Sequence, residues 1–167
     1  GIRKSQLSEN LIGSLKGELK EGRLNMPIVQ LVGGLLDKLP SIGGKKIEVP
    51  KKDQRFKGEF KTLRLDSAIR GRNINIQDID VLYDTMSIGI GDMRFKANGN
   101  INFDRQVDLS GTAFLNPQYV KIDPLKGPSG QIEIPIKVKG DMSDPKPDID
   151  HSLKILTPRL AQSALKS

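Results

Sequence analysis

The chain has 167 residues, 36% hydrophobic and 28% charged, which suits one domain with a core of limited size. Aromatic residues are only 4% and Trp is absent, so a core here is aliphatic. The lack of Cys excludes disulfides and thiolate chemistry, one histidine excludes a multi-histidine metal site, and a net charge of +7 suits an acidic partner if the basic residues are gathered.

In chain order, the first clear signal is Leu15-Lys16-Gly17-Glu18-Leu19-Lys20, where apolar or small residues alternate with polar ones as in a strand. Glu21-Gly22 is a turn candidate, and Arg23 to Met26 would complete a ribbon. Pro27 suits the first position of a helix, and Ile28, Leu31, Val32, Leu35, Leu36 and Leu39 follow at helical spacing. Residues 41–57 are rich in Gly, Pro and Lys and are expected to form a flexible loop. The strand pattern then resumes. Leu63, Leu65, Ser67 and Ile69 share a face opposite Arg64 and Asp66, and Gly71-Arg72 turns the chain. Ile74 and Ile76, then Ile79, Val81 and Tyr83, mark further apolar faces, with a turn expected at Asp84-Thr85. Met86, Ile88 and Ile90 alternate with Ser87, Gly89 and Gly91. Met93, Phe95, Ala97, Gly99, Ile101 and Phe103 alternate with Arg94, Lys96, Asn98, Asn100 and Asn102, and Asp104-Arg105 suits a hairpin turn. Val107, Leu109, Gly111, Ala113 and Leu115 make the next strand.

Asn116 to Gly130 carries three prolines and reads as a loop, with an extended piece expected at Tyr119–Ile122. Ile132 to Gly140 is a strand containing Pro135, which cannot donate a ladder hydrogen bond and so belongs at a sheet margin or a bulge. The tail from His151 to Lys166 has Leu153, Leu156, Leu160, Ala164 and Leu165 near helical spacing, and Pro158 predicts two short pieces or a start at Thr157.

Catalytic motifs are weak. Asp104 and Asp108 are close in sequence, and Asp141, Asp144, Asp148 and Asp150 cluster, but Pro145 and Pro147 interrupt the spacing a calcium loop needs. Gly89-Ile90-Gly91-Asp92 lacks the Gly-Lys-Ser/Thr continuation of a phosphate loop. A Ser–His–acid arrangement would rest on His151 alone, without a Gly-x-Ser-x-Gly turn. The basic runs Lys45-Lys46 and Lys51-Lys52 with Arg55 and Lys57 fit a solvated loop or an anion-binding patch. Phe95 and Phe103 fall on the strand face opposite Arg94 and Lys96, which separates stacking platform from charge and speaks against nucleic acid.

Successive hairpins with period-2 alternation imply an antiparallel sheet with one wet and one dry face. The dry face can be a self-packed core or a surface for an apolar ligand, since alternation alone does not distinguish them. No stretch reaches the roughly 20 apolar residues that a transmembrane helix needs.

The order of the pieces adds a resemblance. Glu21-Gly22-Arg23-Leu24, Phe60-Lys61-Thr62-Leu63, Arg70-Gly71-Arg72-Asn73-Ile74, Met86 to Gly91, Gly99 to Phe103 and Val107 to Gly111 lead to Ile134-Pro135-Ile136-Lys137-Val138-Lys139-Gly140, a polar spacer, Asp144-Pro145 and a final helix. This resembles the C-terminal region of the AsmA-like family of Gram-negative envelope proteins over most of the chain. One departure is Asp141, where the resemblance leads one to expect a small or hydroxyl residue. Another is the family's N-terminal membrane anchor, which these residues lack.

The resemblance implies a mainly β (α+β) fold: a curved antiparallel sheet or β-groove, with one helix near the N-terminus and one at the C-terminus. Residues 1–167 would be a single domain, a piece of a longer protein of the periplasm attached to the inner membrane through a segment absent here. It would be related to bridge-like lipid transfer proteins. It would bind or conduct phospholipid acyl chains without catalysis, cofactor or metal, supporting lipid transport and outer-membrane assembly. Anionic headgroups or envelope proteins would be further partners, and nucleic acid would not. The residues expected to line the groove are Leu63, Leu65, Ile88, Ile90, Phe95, Ile101, Phe103, Leu109, Ile134 and Ile136. The alternative is a self-packed module that scaffolds outer-membrane biogenesis through protein contacts.

Overall fold

Alternation of apolar and polar side chains is realised as one open, curved, antiparallel sheet. The structure is a computed structural model, and it describes residues 12–24, 58–86 and 90–166. The strands are β1 (Ile12–Arg23), β2 (Glu59–Arg70), β3 (Asn73–Asp84), β4 (Asp92–Asn102), β5 (Gln106–Leu115), β6 (Ile132–Asp141) and β7 (Lys146–Pro147). Each pairs with its neighbour in sequence, giving the order β1 to β7 across seven strands. A helix, α1 (Ile149–Lys166), follows. The helix expected at Pro27–Leu39 and the loop expected at 41–57 lie outside the described residues.

Register builds the dry face row by row. Leu63 faces Val81, Val81 faces Phe95, Phe95 faces Ala113 and Ala113 faces Ile134. The next row runs Leu65, Ile79, Ala97, Gly111, Ile136. Ile76 and Ile79 are both buried although their separation would put them on opposite faces of a regular strand. A bulge at Gln77 and Asp78 restores them to one face, three steps of β3 matching two of β4. Two glycines allow the close approach of β4 and β5. A Cβ on Gly111 would lie 2.0 Å from the Lys96 carbonyl oxygen, and one on Gly99 would lie 2.0 Å from that of Asp108.

The wet face carries ion pairs: Lys16–Asp66 at 3.7 Å and Arg94–Asp80 at 3.5 Å join neighbouring strands, and Lys61–Asp92 at 2.8 Å reaches from β2 across β3 to β4. Exposed pairs of this kind contribute about 0–1 kcal/mol each. They favour one pairing over its neighbours more than they hold the sheet together, which the buried face does.

The two margins of the sheet differ. At β6 the outward backbone groups are occupied. The Pro135 carbonyl accepts a 2.5 Å hydrogen bond from the Ser152 hydroxyl, and the Lys137 carbonyl accepts from the Asp148 N–H at 2.8 Å. Val138 and Lys139 pair with β7. The missing N–H of Pro135 therefore falls on the side where no long strand could use it. Asp148 also caps α1, its carboxylate accepting the His151 N–H at 3.1 Å. At the other margin, β1 has all of residues 13–23 exposed.

Several expectations change. Glu21-Gly22 is no turn: β1 continues to Arg23, with Glu21 at φ 58 as a local irregularity. Met86 and Ile90 lie outside the strands, in a connection closed by the Thr85 hydroxyl donating to the Gly91 carbonyl. Phe103 belongs to the turn after β4 rather than to the strand. Tyr119 and Val120 are turn and bend, Lys121 and Ile122 join no strand, and a 3-10 turn follows at Asp123–Leu125. The polar spacer contains β7.

Pro158 neither ends nor begins a helix, because α1 passes through it. Proline in a helix interior costs about 3 kcal/mol. The helix tolerates it because Leu156 and Leu160, on either side, are buried while Pro158 is exposed. Pro158→Ala should therefore raise the denaturant midpoint, with a gain of about 1–3 kcal/mol at unchanged slope. An unchanged midpoint would mean that the helix is broken at Thr157.

Candidate apolar binding face

The dry face is aliphatic along its length but not equally sheltered. On β6 and β5, Ile132, Ile134, Ile136, Val138, Leu109, Ala113 and Leu115 are all buried. Helix α1 packs against β6, and its buried residues Ser152, Leu156 and Leu160 recur every fourth position, forming one stripe. Val120 and Leu125 from the 116–131 connection are buried in the same core. Val81, Tyr83, Met93 and Phe95 on β3 and β4 are buried as well, and on β2 Phe60 and Ser67 are buried while Leu63, Leu65 and Ile69 are half-buried. On β1, Leu15 is 54% exposed and Leu19 is 62% exposed, although Leu19 faces Leu63 directly. Full burial of a leucine side chain gains about 1.5–3 kcal/mol relative to exposure. Two leucines left more than half in water thus mark apolar surface with unsatisfied potential for contact.

The expected lining residues divide accordingly. Phe95, Leu109, Ile134 and Ile136 share the dry face and are buried. Leu63, Leu65 and Ile101 share it and are half-buried at its margins. Ile90 is buried but sits in the bend before β4, and Phe103 is exposed in the β4–β5 turn. Ile88 lies outside the described residues. Leu15 and Leu19 were not among the expected lining. Their alternation with Lys16, Glu18 and Lys20 is visible in sequence, but their exposure depends on β1 being the margin, a property of the whole sheet order.

The polar groups serve the fold. Asp148 caps α1, and the Asp141 carboxylate accepts from the hydroxyl and backbone N–H of Ser143. The Ser143 hydroxyl and then its N–H hold the Asp141 carboxyl below its ordinary range. Asp104 pairs with Arg72 at 3.4 Å. No three His, Cys, Asp or Glu side chains converge to hold a metal among the described residues. On the wet face a hollow of about 460 Å³ is lined by Leu82, Met86, Asp92, Arg94, Phe114 and Tyr119, among others. Arg94 is engaged by Asp80, and Asp92 by Lys61 through Oδ2, its Oδ1 being buried with no hydrogen-bond partner among the described residues. No helix of the described residues is long and apolar enough to cross a membrane.

Compared with family models, curated proteins and solved structures, the chain has no match.

Tyr83 offers a probe of burial on this face. It is buried opposite Met93, and its hydroxyl donates to the Leu24 carbonyl at 3.3 Å. Burial disfavours the phenolate and pushes its pKa up. Between the unfolded phenol value of about 10 and the higher folded value, the unfolded state holds fewer protons, so stability falls as pH rises. Denaturant midpoints measured from pH 8 to 11 should fall more steeply for the parent chain than for Tyr83→Phe, and parallel curves would show that the phenol is not held in a dry site.

Proposed function

We propose that this chain is a non-enzymatic periplasmic module that binds or conducts lipid acyl chains on its dry face, as part of a longer AsmA-like β-groove anchored in the inner membrane. The observation that carries the proposal is the exposed pair Leu15 and Leu19 beside half-buried Leu63 and Leu65, continuous with an aliphatic core. The resemblance of Ile134 to Gly140, Asp144-Pro145 and the final helix to the AsmA-like C-terminal region supports the same reading.

Each methylene moved from water onto such a surface gains about 0.8 kcal/mol. The contacts are non-directional, so an acyl chain is held by the sum of many weak contacts and can slide along the strands. The buried positions Phe95, Leu109, Ile134 and Ile136 then serve as the floor that shapes the sheet. Leu15, Leu19, Leu63 and Leu65 meet the ligand. The wet face remains in water, with its ion pairs limiting which side lipid can approach. Anionic headgroups would be met by basic side chains outside the apolar strip.

A specific observation favours a second reading. Because most of the strand positions on the dry face are already buried, the chain could be a self-packed module that scaffolds outer-membrane biogenesis through protein contacts. Native mass spectrometry and lipid extraction of the purified protein separate the two. The lipid reading expects co-purified phospholipid, with capture falling at least several-fold in Leu19→Glu and Leu63→Glu while circular dichroism stays unchanged. Absence of phospholipid from the folded parent, or capture indifferent to both substitutions, would leave the scaffold reading.

A further inference from the structure

We propose that the hollow on the wet face is a binding site for a small primary amine with an apolar or aromatic body. The proposal does not depend on lipid binding to the dry face. Along β3, β4 and β5 the wet positions are polar with two exceptions, Leu82 and Phe114. Register sets both beside Arg94: Leu82 faces it from β3 and Phe114 faces it from β5. This row lines a hollow of about 460 Å³, and small-ligand sites commonly run to roughly 300–1,000 Å³. Chain at the same end of the sheet supplies further wall, Met86 and Gly91 between β3 and β4, Tyr119 between β5 and β6. Tyr119 is placed by a turn, its N–H donating to the Asn116 carbonyl at 3.0 Å, with Val120 buried behind it. Its ring rests on Gly91, where a Cβ would lie 2.8 Å from the ring and where φ is 71. Glycine at this position therefore lets the β5–β6 connection lean on the β3–β4 connection and give the hollow an aromatic side.

The charge chemistry selects the ligand. Asp92, in the wall, stands directly opposite Asp84 across β3 and β4, and like charges so placed repel. Few donors answer these two carboxylates. Lys61 reaches Asp92 Oδ2 at 2.8 Å, and the Met86 N–H reaches Asp84 Oδ1 at 3.3 Å. Asp92 Oδ1 is buried and has no partner among the described residues. A buried acceptor without a donor costs free energy, and a carboxylate acceptor gains most from a charged one. The Cβ–Cγ torsion of an aspartate is broad, so a modest rotation turns this oxygen towards an arriving N–H. An ammonium group thus supplies the missing donor and offsets the Asp84–Asp92 repulsion. Its carbon body meets Leu82, Met86, Phe114 and Tyr119, whose rings also attract a cation. Arg94 does not oppose this, because Asp80 holds it at 3.5 Å. A quaternary ammonium carries the charge but no N–H, so the site favours a primary amine.

Titration of the full chain with phenethylamine, followed by heteronuclear NMR, tests this. The expected result is a saturable shift confined to Leu82, Met86, Gly91, Asp92, Phe114 and Tyr119 and their chain neighbours. Loss of a charge-assisted hydrogen bond weakens binding about tenfold or more, so the N-trimethyl derivative, which has no N–H, should bind that much more weakly. Ethanolamine, which has no apolar body, should bind more weakly by a similar factor. Both comparisons are made on the parent chain and need no substitution. Asp92→Asn should reduce phenethylamine affinity about tenfold. Tyr119→Ala should reduce it several-fold, with melting curves showing both variants folded. Absence of saturable shifts at millimolar amine, or shifts spread over acidic residues of the whole surface, would overturn the proposal. So would equal binding of the N-trimethyl derivative or of ethanolamine, or parent-like affinity in folded Asp92→Asn.

Discussion

A single sheet with alternating strands has one face from which water must be kept, and a sheet by itself cannot do this. Several features of the described residues answer that constraint. The glycines at 99 and 111 let β4 and β5 approach closely, and the bulge in β3 keeps Ile76 and Ile79 on the same side. Helix α1 and the connection before β6 bring Leu156, Leu160, Val120 and Leu125 into the core. The dry face is buried from β3 to β6, with Val81, Met93 and Phe95 as sheltered as Ile132 and Ile134, and is exposed at the leucines of β1.

In the proposed function the exposed β1 side is where the fold meets its ligand. A face covered from one margin to the other would be a closed core, whereas among the described residues Leu15 and Leu19 of β1 remain exposed. The closing devices at the C-terminal margin act together: Ser152 occupies the Pro135 carbonyl, Asp148 joins β6 to the cap of α1, and β7 covers the end of β6. Proline at 135 belongs to this closure, since an edge that no strand extends does not need its N–H.

Much of the sheet was legible in the sequence because period-2 alternation is dictated by the backbone itself. The strands around Leu63–Ile69, Met93–Ile101, Val107–Leu115 and Ile132–Gly140 emerge where expected, and so does the marginal place of Pro135. What was not legible depended on partners distant in sequence. Glu21-Gly22 has turn composition, yet pairing with β2 carries the strand through it. Met86 to Ile90 alternates like a strand, but Met86 and Ile90 have no place in the ladder. Pro158 breaks helices on local grounds, and burial of its neighbours overrides that preference. For the site, the sequence named the apolar face but could not rank its members. Phe95 and Leu19 look alike in pattern, and only the strand order puts one in the interior and the other at an open margin.

The central claim is that the open β1–β2 side of the dry face receives an apolar chain. Photo-crosslinking with a saturated fatty acyl probe carrying a diazirine, mapped residue by residue by mass spectrometry, tests it most directly. The account predicts adducts concentrated at Leu15, Leu19, Leu63 and Leu65. Adducts on the opposite face, around Arg94, Lys96 and Asn98, or spread evenly over both faces, would contradict it.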